Sequence, residues 1–365
     1  MAQAAPAPAG GSESAPPRPV SHAELPGWPG DDPLAALPPL LSTCEALKTR
    51  PAMALPAGAG MLLRLSARPA AWAAACAEAA TLAEELRQSG QAGQALVRDF
   101  LERRFQPFAV GTGLLTGYFE PELRGAEHPV SPFLVPLYAL PPPSPDGQPM
   151  PDRAAIEAGA LEDRGLELAW VDDPVAAFFL QIQGSGRIRL SDGRVLRLGY
   201  AGKNGHPYRS IGRILVESGA IPLEAISMQS IRDWLAAAGP GPAAALLRQN
   251  PSYVFFRRVE GLRPDQGPVG TLGVPLTPGR SLAVDPAFIP LGAPVFVATR
   301  DPLDGAPLHR LLLAQDTGSA IRGPARGDIF WGWGEAATAR AGRMREMAEV
   351  FVLLPREPAF FPAAP

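Results

Sequence analysis

The sequence is poor in the residues that most metal and cofactor sites require. Its 365 residues include two cysteines, Cys44 and Cys76, which form neither a metal-binding motif nor the framework of a disulfide-rich fold. The four histidines lie far apart, without the i,i+4 spacing of a zinc site. We therefore expect no metal and no cofactor. The two cysteines could pair in an oxidising compartment or remain buried thiols, and both options stay open.

Signals for membranes, nucleotides and serine nucleophiles are also missing. No apolar run approaches the length of a transmembrane helix, and neither a signal peptide nor a lipoprotein-type cysteine is visible. The Gly-rich segment GTGLLTG has neither dinucleotide nor P-loop spacing, and no Gly-x-Ser-x-Gly motif occurs. A formal net charge of −3 gives no reason to expect nucleic acid as a partner.

Turn formers and apolar residues are abundant instead. The 44 prolines and 38 glycines favour short strands and tight turns over long helices, and the length suits two domains. Residues 1–25 are mostly Ala, Pro, Gly and Ser, so we predict a disordered leader there. Helical patterns occur around 70–88 and 92–105, and the composition changes near 110 and again near 255.

The middle of the chain is β-prone and carries polar side chains near its turns. Segments 178–183, 187–190 and 195–200 predict a three-stranded meander. Six polar or aromatic residues lie near the first turn or follow the third strand: Gln181, Gln183, Arg187, Lys203, Asn204 and Tyr208. Such side chains suit a sugar or peptide ligand, and they equally suit ordinary polar strand faces.

Three aspartates stand at the ends of apolar runs. Asp285 follows SLAV, Asp316 follows LLLAQ, and Asp328 leads into Ile329-Phe330-Trp331. A carboxylate beside such a run is expected to be partly desolvated, which raises its pKa and suits it to general acid catalysis. We therefore predict one carboxylate-lined cleft. The alternative is that each aspartate only caps a turn.

Two kinds of carboxylate chemistry fit these aspartates. Asp316-Thr317-Gly318 has the triplet of an aspartic protease, but that reaction needs two carboxylates sharing a proton, and no second triplet occurs. Cleavage of a glycosidic bond needs one acid to protonate the leaving oxygen, and a second carboxylate or a substrate group as nucleophile. Asp328 is the better candidate for the acid. Asp316 and Asp285 would shape its pKa and support the developing positive charge.

Several segments between about residues 25 and 355 resemble a known family and occur in the same order as in that family. They are LPGWPGDDPLAALPPLLSTC, TGYFEPEL, QIQGSGRIRLSDG, GYAGKNGHPYRSIGRIL, NPSYVFFR, SLAVDPAFIPLG and AQDTGSAIRGPARGDIFWGWG. Together they resemble the membrane-bound lytic murein transglycosylase A family, and the last two resemble its three-aspartate (3D) domain.

The resemblance implies a mainly β fold with helices. A double-psi β-barrel would comprise residues 26–110 and 255–356, with a second β domain inserted at 111–254, a groove between them and a loose tail at 357–365. The implied reaction cleaves the β-1,4 bond between N-acetylmuramic acid and N-acetylglucosamine in peptidoglycan. The muramic acid C6 hydroxyl attacks C1 in place of water, which leaves a 1,6-anhydromuramoyl end.

The resemblance also implies roles for individual residues. Asp328 matches the aspartate that acts as acid and then as base, and Asp285 and Asp316 match the other two. The implied groove residues are Tyr118, Glu120, Gln183, Ser185, Arg187, Lys203 and Tyr208. The expected protein is a cofactor-free monomer whose partner is the peptidoglycan strand. Family members are often outer-membrane lipoproteins that face the periplasm, so a cell-envelope location is expected, with lipid anchoring left open.

Two alternatives remain within this chemistry. An expansin-like module would bind wall glycan without cutting it. A peptidoglycan or glucan hydrolase would leave reducing ends instead of anhydro ends.

Overall fold

The computed structural model describes residues 16–49, 59–89, 93–143, 147–318 and 320–357. The chain forms two compact units. The barrel unit comprises Met1–Tyr118, Asp265–Gly332 and Ala339–Pro365, and the insert unit comprises Phe119–Pro264 and Trp333–Thr338. The predicted loose tail falls almost entirely beyond residue 357 and lies outside the described part of the chain.

Both units contain strands and helices. The strands are β1 Arg18–Pro19, β2 Phe105–Glu120, β3 Glu122–Ala126, β4 Val135–Tyr138, β5 Glu167–Val171, β6 Ser185–Leu190, β7 Val195–Lys203, β8 Val254–Arg258, β9 Ser281–Val284, β10 Pro294–Arg300, β11 Pro307–Thr317, β12 Gly327–Trp333 and β13 Arg345–Pro355. The helices are α1 Leu37–Thr49, α2 Met61–Ser66, α3 Pro69–Ser89, α4 Gln94–Arg104, α5 Arg153–Ala155, α6 Pro174–Gln183, α7 Ile211–Glu217, α8 Met228–Ala238, α9 Pro240–Leu247 and α10 Gly334–Arg343.

Six strands close into a barrel in the barrel unit. Their order is β2-β12-β9-β11-β10-β13, and β13 pairs back with β2, so the sheet closes on itself. Strands β9 and β11 run parallel, whereas β10 runs antiparallel to both β11 and β13. Aliphatic residues at alternate strand positions fill the interior, among them Leu282, Val284, Leu312, Ala314 and Ile329. The predicted fold class, mainly β with helices and a barrel built from the N- and C-terminal parts, is confirmed.

Helices α1, α3 and α4 pack against barrel strands. Their apolar side chains share one core with Phe296 of β10, Leu313 of β11 and Leu353 of β13. A disulfide between Cys44 of α1 and Cys76 of α3 joins two of these helices. The helices predicted around 70–88 and 92–105 are confirmed as α3 and α4.

The chain is structured before residue 25, contrary to part of the predicted leader. Arg18 and Pro19 pair antiparallel with β2, and Val20 and Leu25 are buried in the barrel unit's helical core. The prediction of disorder was therefore wrong for residues 16–25, because scattered apolar side chains find partners that composition alone does not reveal. Its first fifteen residues lie outside the described part of the chain.

The insert unit contains a six-stranded sheet in the order β4-β5-β3-β6-β7-β8, together with helices α5 to α9. The predicted β6–β7 hairpin is confirmed, but the strand predicted at 178–183 was wrong, because these residues lie in α6. The Asp173 carboxylate caps this helix by accepting from two backbone N–H groups, and Gly184 ends it with φ of 79°. A short apolar run does not distinguish a buried strand from a buried helix, so only these end signals could have decided between them.

Candidate active site

The strand register of the barrel places two of the three aspartates in one row. Ala283 of β9 pairs with Asp316 of β11 on one side and with Asp328 of β12 on the other. Paired residues point to the same face of a sheet, and two strand spacings separate the two aspartate backbones by about 10 Å. The neighbours Leu282 and Val284 point into the barrel interior, so both carboxylates project from its outer face.

Asp328 is a buried carboxyl group held by a hydroxyl. The residue is 8% exposed, and its Oδ1 accepts a hydrogen bond of 2.7 Å from Thr116 Oγ1. Burial raises the pKa of Asp328 to about 6, and the negative charge of Asp316 acts in the same direction. The Thr116 hydrogen bond and the positive charge of Arg326 lower that pKa without cancelling the effect of burial. Asp328 can therefore stay protonated up to a pH that is only slightly below neutral.

Asp316 has three hydrogen-bond donors instead of one. Its Oδ2 accepts from Tyr118 Oη at 2.9 Å, and its Oδ1 accepts from both the backbone N and the Oγ1 of Thr271, each at 3.0 Å. Burial raises the pKa of Tyr118 well above its ordinary value, with Asp316 adding to the effect. The phenol therefore keeps its proton and donates a hydrogen bond to Asp316. Both oxygens of Asp316 thus serve as acceptors, which is the arrangement of a carboxylate anion.

Asp285 anchors the loop that leads to Asp328. Its side chain is buried, its Oδ1 accepts from the backbone N of Ala287 at 3.1 Å, and its Oδ2 accepts from the backbone N of Gly323 at 2.9 Å. The first bond closes the turn after β9, and the second holds the segment before β12. These contacts support the turn-capping interpretation for Asp285.

Glu120 and Arg187 meet in the insert unit as members of a buried charged cluster. Glu120 is 1% exposed and accepts from Arg187 Nε at 2.8 Å and from Arg197 Nη2 at 3.0 Å. Arg187 also donates to the Pro264 carbonyl at 2.9 Å and lies 3.4 Å from the ring centroid of Trp333. Burial raises the pKa of Glu120, while the two guanidinium groups oppose this rise. These contacts support a structural role better than the predicted contact with glycan.

The remaining predicted groove residues lie at element ends or in loops of the insert unit. Gln183 and Ser185 are half-buried on either side of the α6–β6 junction, Lys203 is exposed at the end of β7, and Tyr208 is 51% exposed in the following loop. Two of their polar neighbours are committed elsewhere. Gln181 accepts from Arg153 at 2.6 Å, and Asn204 donates to the carbonyls of Pro151 and Pro251.

Three residues around the acids were missed by the sequence analysis: Thr116, Thr271 and Arg326. Thr116 could have been found, since it precedes Tyr118 by two positions on β2 and so faces the same way. Thr271 and Arg326 lie outside the strands, where no periodicity predicts the direction of a side chain. Among the residues that the structure describes, no group of three or more His, Cys, Asp and Glu side chains could hold a metal ion.

Two known domain families match parts of the chain. Residues 114–257 match the MltA specific insert domain, and residues 280–354 match the 3D domain. The fold and the site thus define a 3D-domain protein whose barrel is interrupted by this insert.

Individual relatives narrow the assignment. Membrane-bound lytic murein transglycosylase A of Vibrio cholerae is 36% identical over 252 residues, which are 67% of this chain and 66% of the relative. The lytic transglycosylase LtgG of Burkholderia pseudomallei is 40% identical over 98% of both chains, with a TM-score of 0.66. E. coli MltA with bound chitohexaose is 29% identical over 94% of this chain and 95% of that one, with a TM-score of 0.67. The chain belongs to the membrane-bound lytic murein transglycosylase A family.

Proposed function

We propose that the protein is a peptidoglycan lytic transglycosylase that uses Asp328 as its single acid and base. The observation that carries the proposal is the unequal environment of the two aspartates that flank Ala283. Asp328 is buried with one hydroxyl donor and a pKa of about 6, whereas Asp316 accepts three hydrogen bonds. One acid is thus prepared to give a proton and the other to remain an anion. The names of the relatives supply the substrate class, peptidoglycan, and the chitohexaose complex of the E. coli relative supports a glycan ligand.

In the first step, protonated Asp328 gives its proton to the oxygen that links N-acetylmuramic acid to N-acetylglucosamine. The bond from muramic acid C1 to that oxygen breaks, and its electron pair stays with the departing N-acetylglucosamine. Positive charge develops at C1, and the neighbouring anionic Asp316 stabilises it. The Tyr118 and Thr271 donors hold Asp316 in place without neutralising its charge.

In the second step, the C6 hydroxyl of the same muramic acid attacks C1. The bond from O6 to C1 forms, and the hydroxyl proton passes to the Asp328 carboxylate, which regenerates the acid. No water is consumed, so the product carries a 1,6-anhydro ring. A residue that acts first as acid and then as base works best with a pKa close to the operating pH. The pKa of about 6 at Asp328 suits action slightly below neutral pH.

Four exposed or half-buried residues of the insert unit are proposed to bind the glycan strand. They offer amide, hydroxyl, ammonium and aromatic groups at the ends of helices and strands or in the adjoining loop: Gln183, Ser185, Lys203 and Tyr208. Sugar hydroxyls and acetamido groups match such hydrogen-bonding partners, and an aromatic face packs against a sugar ring. The acids and their donors all come from one chain, which fits action as a monomer.

The cell envelope is the proposed location, on its periplasmic side. The disulfide between Cys44 and Cys76 is of a kind that persists in oxidising compartments. Relatives carry the name membrane-bound. No helix within the described ranges is both long and apolar enough to cross a bilayer.

Mass spectrometry of the soluble products from purified peptidoglycan tests the proposal. Wild type should release muropeptides lighter by one water than their hydrolysed counterparts. Asp328→Asn should lower this release by about a thousandfold or more, since a general acid and base acts in both steps. Asp99→Asn, which alters an exposed carboxylate on α4, is the matched control and should behave as wild type.

Three other results would each replace the proposal. Hydrated reducing ends would identify a hydrolase on the same site. Binding to insoluble peptidoglycan without any soluble product from wild type would favour a non-catalytic wall-binding protein. Substantial anhydro product from Asp328→Asn would move the acid role to another residue.

A further inference from the structure

We infer that Arg326 is a positioning residue for the acid. By fixing the direction of the Thr116 hydroxyl, it reserves Oδ2 of Asp328 for the catalytic proton. The inference rests on the proposed function in one respect, namely that Asp328 is the group that gives and takes this proton.

A chain of two hydrogen bonds connects the guanidinium group to the acid. Arg326 Nη2 donates to Thr116 Oγ1 at 2.8 Å, and Thr116 Oγ1 donates to Asp328 Oδ1 at 2.7 Å. Arg326 is itself held by backbone carbonyls, because its Nη1 donates to Leu114 at 3.2 Å and to Gly327. The guanidinium is thus fixed by the strand that carries Thr116 and by the start of the strand that carries Asp328.

The donor and acceptor capacities of these groups set the direction of the chain. A guanidinium group only donates hydrogen bonds, so Thr116 Oγ1 must accept from Arg326. A hydroxyl has a single hydrogen, which then points to Asp328 Oδ1. Removing Arg326 would free the hydroxyl to accept from another donor and to turn its hydrogen elsewhere.

The consequence for the acid is a choice between its two oxygens. Because Oδ1 already accepts the Thr116 hydrogen, a proton placed on Oδ1 would compete with that bond of 2.7 Å. A proton on Oδ2 leaves the chain intact. The catalytic proton is therefore carried by Oδ2, and its direction towards the substrate is set before binding.

The pKa of Asp328 provides a second readout, because charged groups around it shift this pKa. The positive charge of Arg326 favours the ionised form of Asp328, whereas the negative charge of Asp316 disfavours it. The charges of both acids also act on the buried Tyr118 phenol. The positive charge of Arg345 lowers the pKa of Arg326. Loss of the Arg326 cation should therefore raise the pKa of Asp328 and move the alkaline fall of kcat to higher pH.

A double-mutant cycle separates positioning through Thr116 from a general structural role. Arg326→Met and Thr116→Val should each lower kcat by about tenfold with KM changed by less than about twofold, because the acid stays in place but its proton is misdirected. The double variant should be no slower than Thr116→Val alone, since Arg326 then has no hydroxyl to direct. Arg326→Lys and Thr116→Ser, which keep the donors, should recover most of the activity.

Several controls keep the inference apart from the proposed function. Arg343→Met removes an exposed cation at the end of α10 and should match wild type in kcat and pH profile. The carboxyl carbon signal of Asp328, followed by NMR over pH in wild type and Arg326→Met, reports the pKa without any need for turnover. Activity in Asp328→Asn would overturn the proposed function. Additive losses in the cycle, an unchanged kcat in Arg326→Met, or a midpoint that does not rise would overturn the inference about Arg326.

Discussion

Two buried carboxyl groups, one in each unit, show how the partner of an acid decides its use. Asp328 in the barrel unit is 8% exposed, and Glu120 in the insert unit is 1% exposed. Burial raises the pKa of both. Glu120 contacts two guanidinium groups directly, at 2.8 and 3.0 Å, whereas the hydroxyl of Thr116 stands between Asp328 and its nearest described guanidinium.

The difference lies in what happens to the negative charge. Direct contact with two cations opposes the desolvation of Glu120 and holds its carboxylate as part of the packing of the insert unit. A hydroxyl compensates only part of the desolvation of Asp328, so that side chain exchanges a proton near pH 6. Burial creates a usable acid where the cation is kept one group away, and it creates a structural ion pair where the cation is in contact.

The largest expected effect is on stability, in Glu120→Gln. The amide would leave Arg187 and Arg197 buried beside a neutral group, and loss of one partner of a buried ion pair costs about 3–5 kcal/mol of unfolding free energy. Urea unfolding followed by circular dichroism measures it. Glu122→Gln, which alters a more exposed pair with Arg189 on the same sheet, is the matched control and should cost less than about 1 kcal/mol. Equal losses in both variants would remove the distinction drawn for Glu120.

The same acid-to-amide change should have the opposite sign at Asp328. The pKa of Asp328 in the folded protein, about 6, lies above the ordinary value of 3.8. The stability that protonated Asp328 contributes is therefore fully present below pH 3.8 and is lost as pH rises through about 6. Asparagine removes this loss, and Asp328→Asn should be more stable than wild type at neutral pH by up to about 3 kcal/mol. Urea unfolding at neutral and at acidic pH should show the gain at neutral pH only. A less stable variant at neutral pH would show that the carboxylate is not strained by burial.

The placing of Asp316 and Asp328 could be predicted from local sequence because both aspartates stand near strand ends. Asp316 and Asp328 each adjoin an apolar run, and such runs become barrel strands that fix the direction of the acid. The resemblance supplied the barrel and the inserted domain. The meeting of the two acids beside Ala283 depends on the register of β9 with two strands distant in the chain, and no local pattern encodes that register.

The insert unit was harder to predict for the same physical reason. The pairing of Glu120 with Arg187 follows from the parallel alignment of β3 with β6, where Glu122 stands opposite Arg187. Charges 67 residues apart carry no mutual signal in one sequence. Glu120 was therefore predicted to bind glycan from its place in TGYFEP, and only the contacts show its carboxylate committed to two arginines.

The third prediction concerns the anion beside the acid. Asp316→Asn should lower kcat by about a hundredfold, because it removes a preorganised charge that stabilises the positive charge at C1. The amide can still accept from Thr271 and meet Tyr118, so the fold should be retained and the melting temperature little changed. Rates of anhydromuropeptide release, measured with Glu122→Gln as the control, test this. A loss below about threefold would mean that Asp316 serves only to hold its neighbours.

The finest comparison is the pH dependence of kcat in three proteins. Wild type should lose activity as pH rises through about 6, because the first step needs protonated Asp328. In Asp316→Asn the fall should come at lower pH, since the negative charge that raises the pKa of Asp328 is gone. In Glu120→Gln the midpoint should stay where it is in wild type, provided that the measurement is made below its unfolding temperature. A midpoint that moved with Glu120 but not with Asp316 would show that the acid is governed from the insert unit, and the contrast between the two carboxyl groups would have to be reversed.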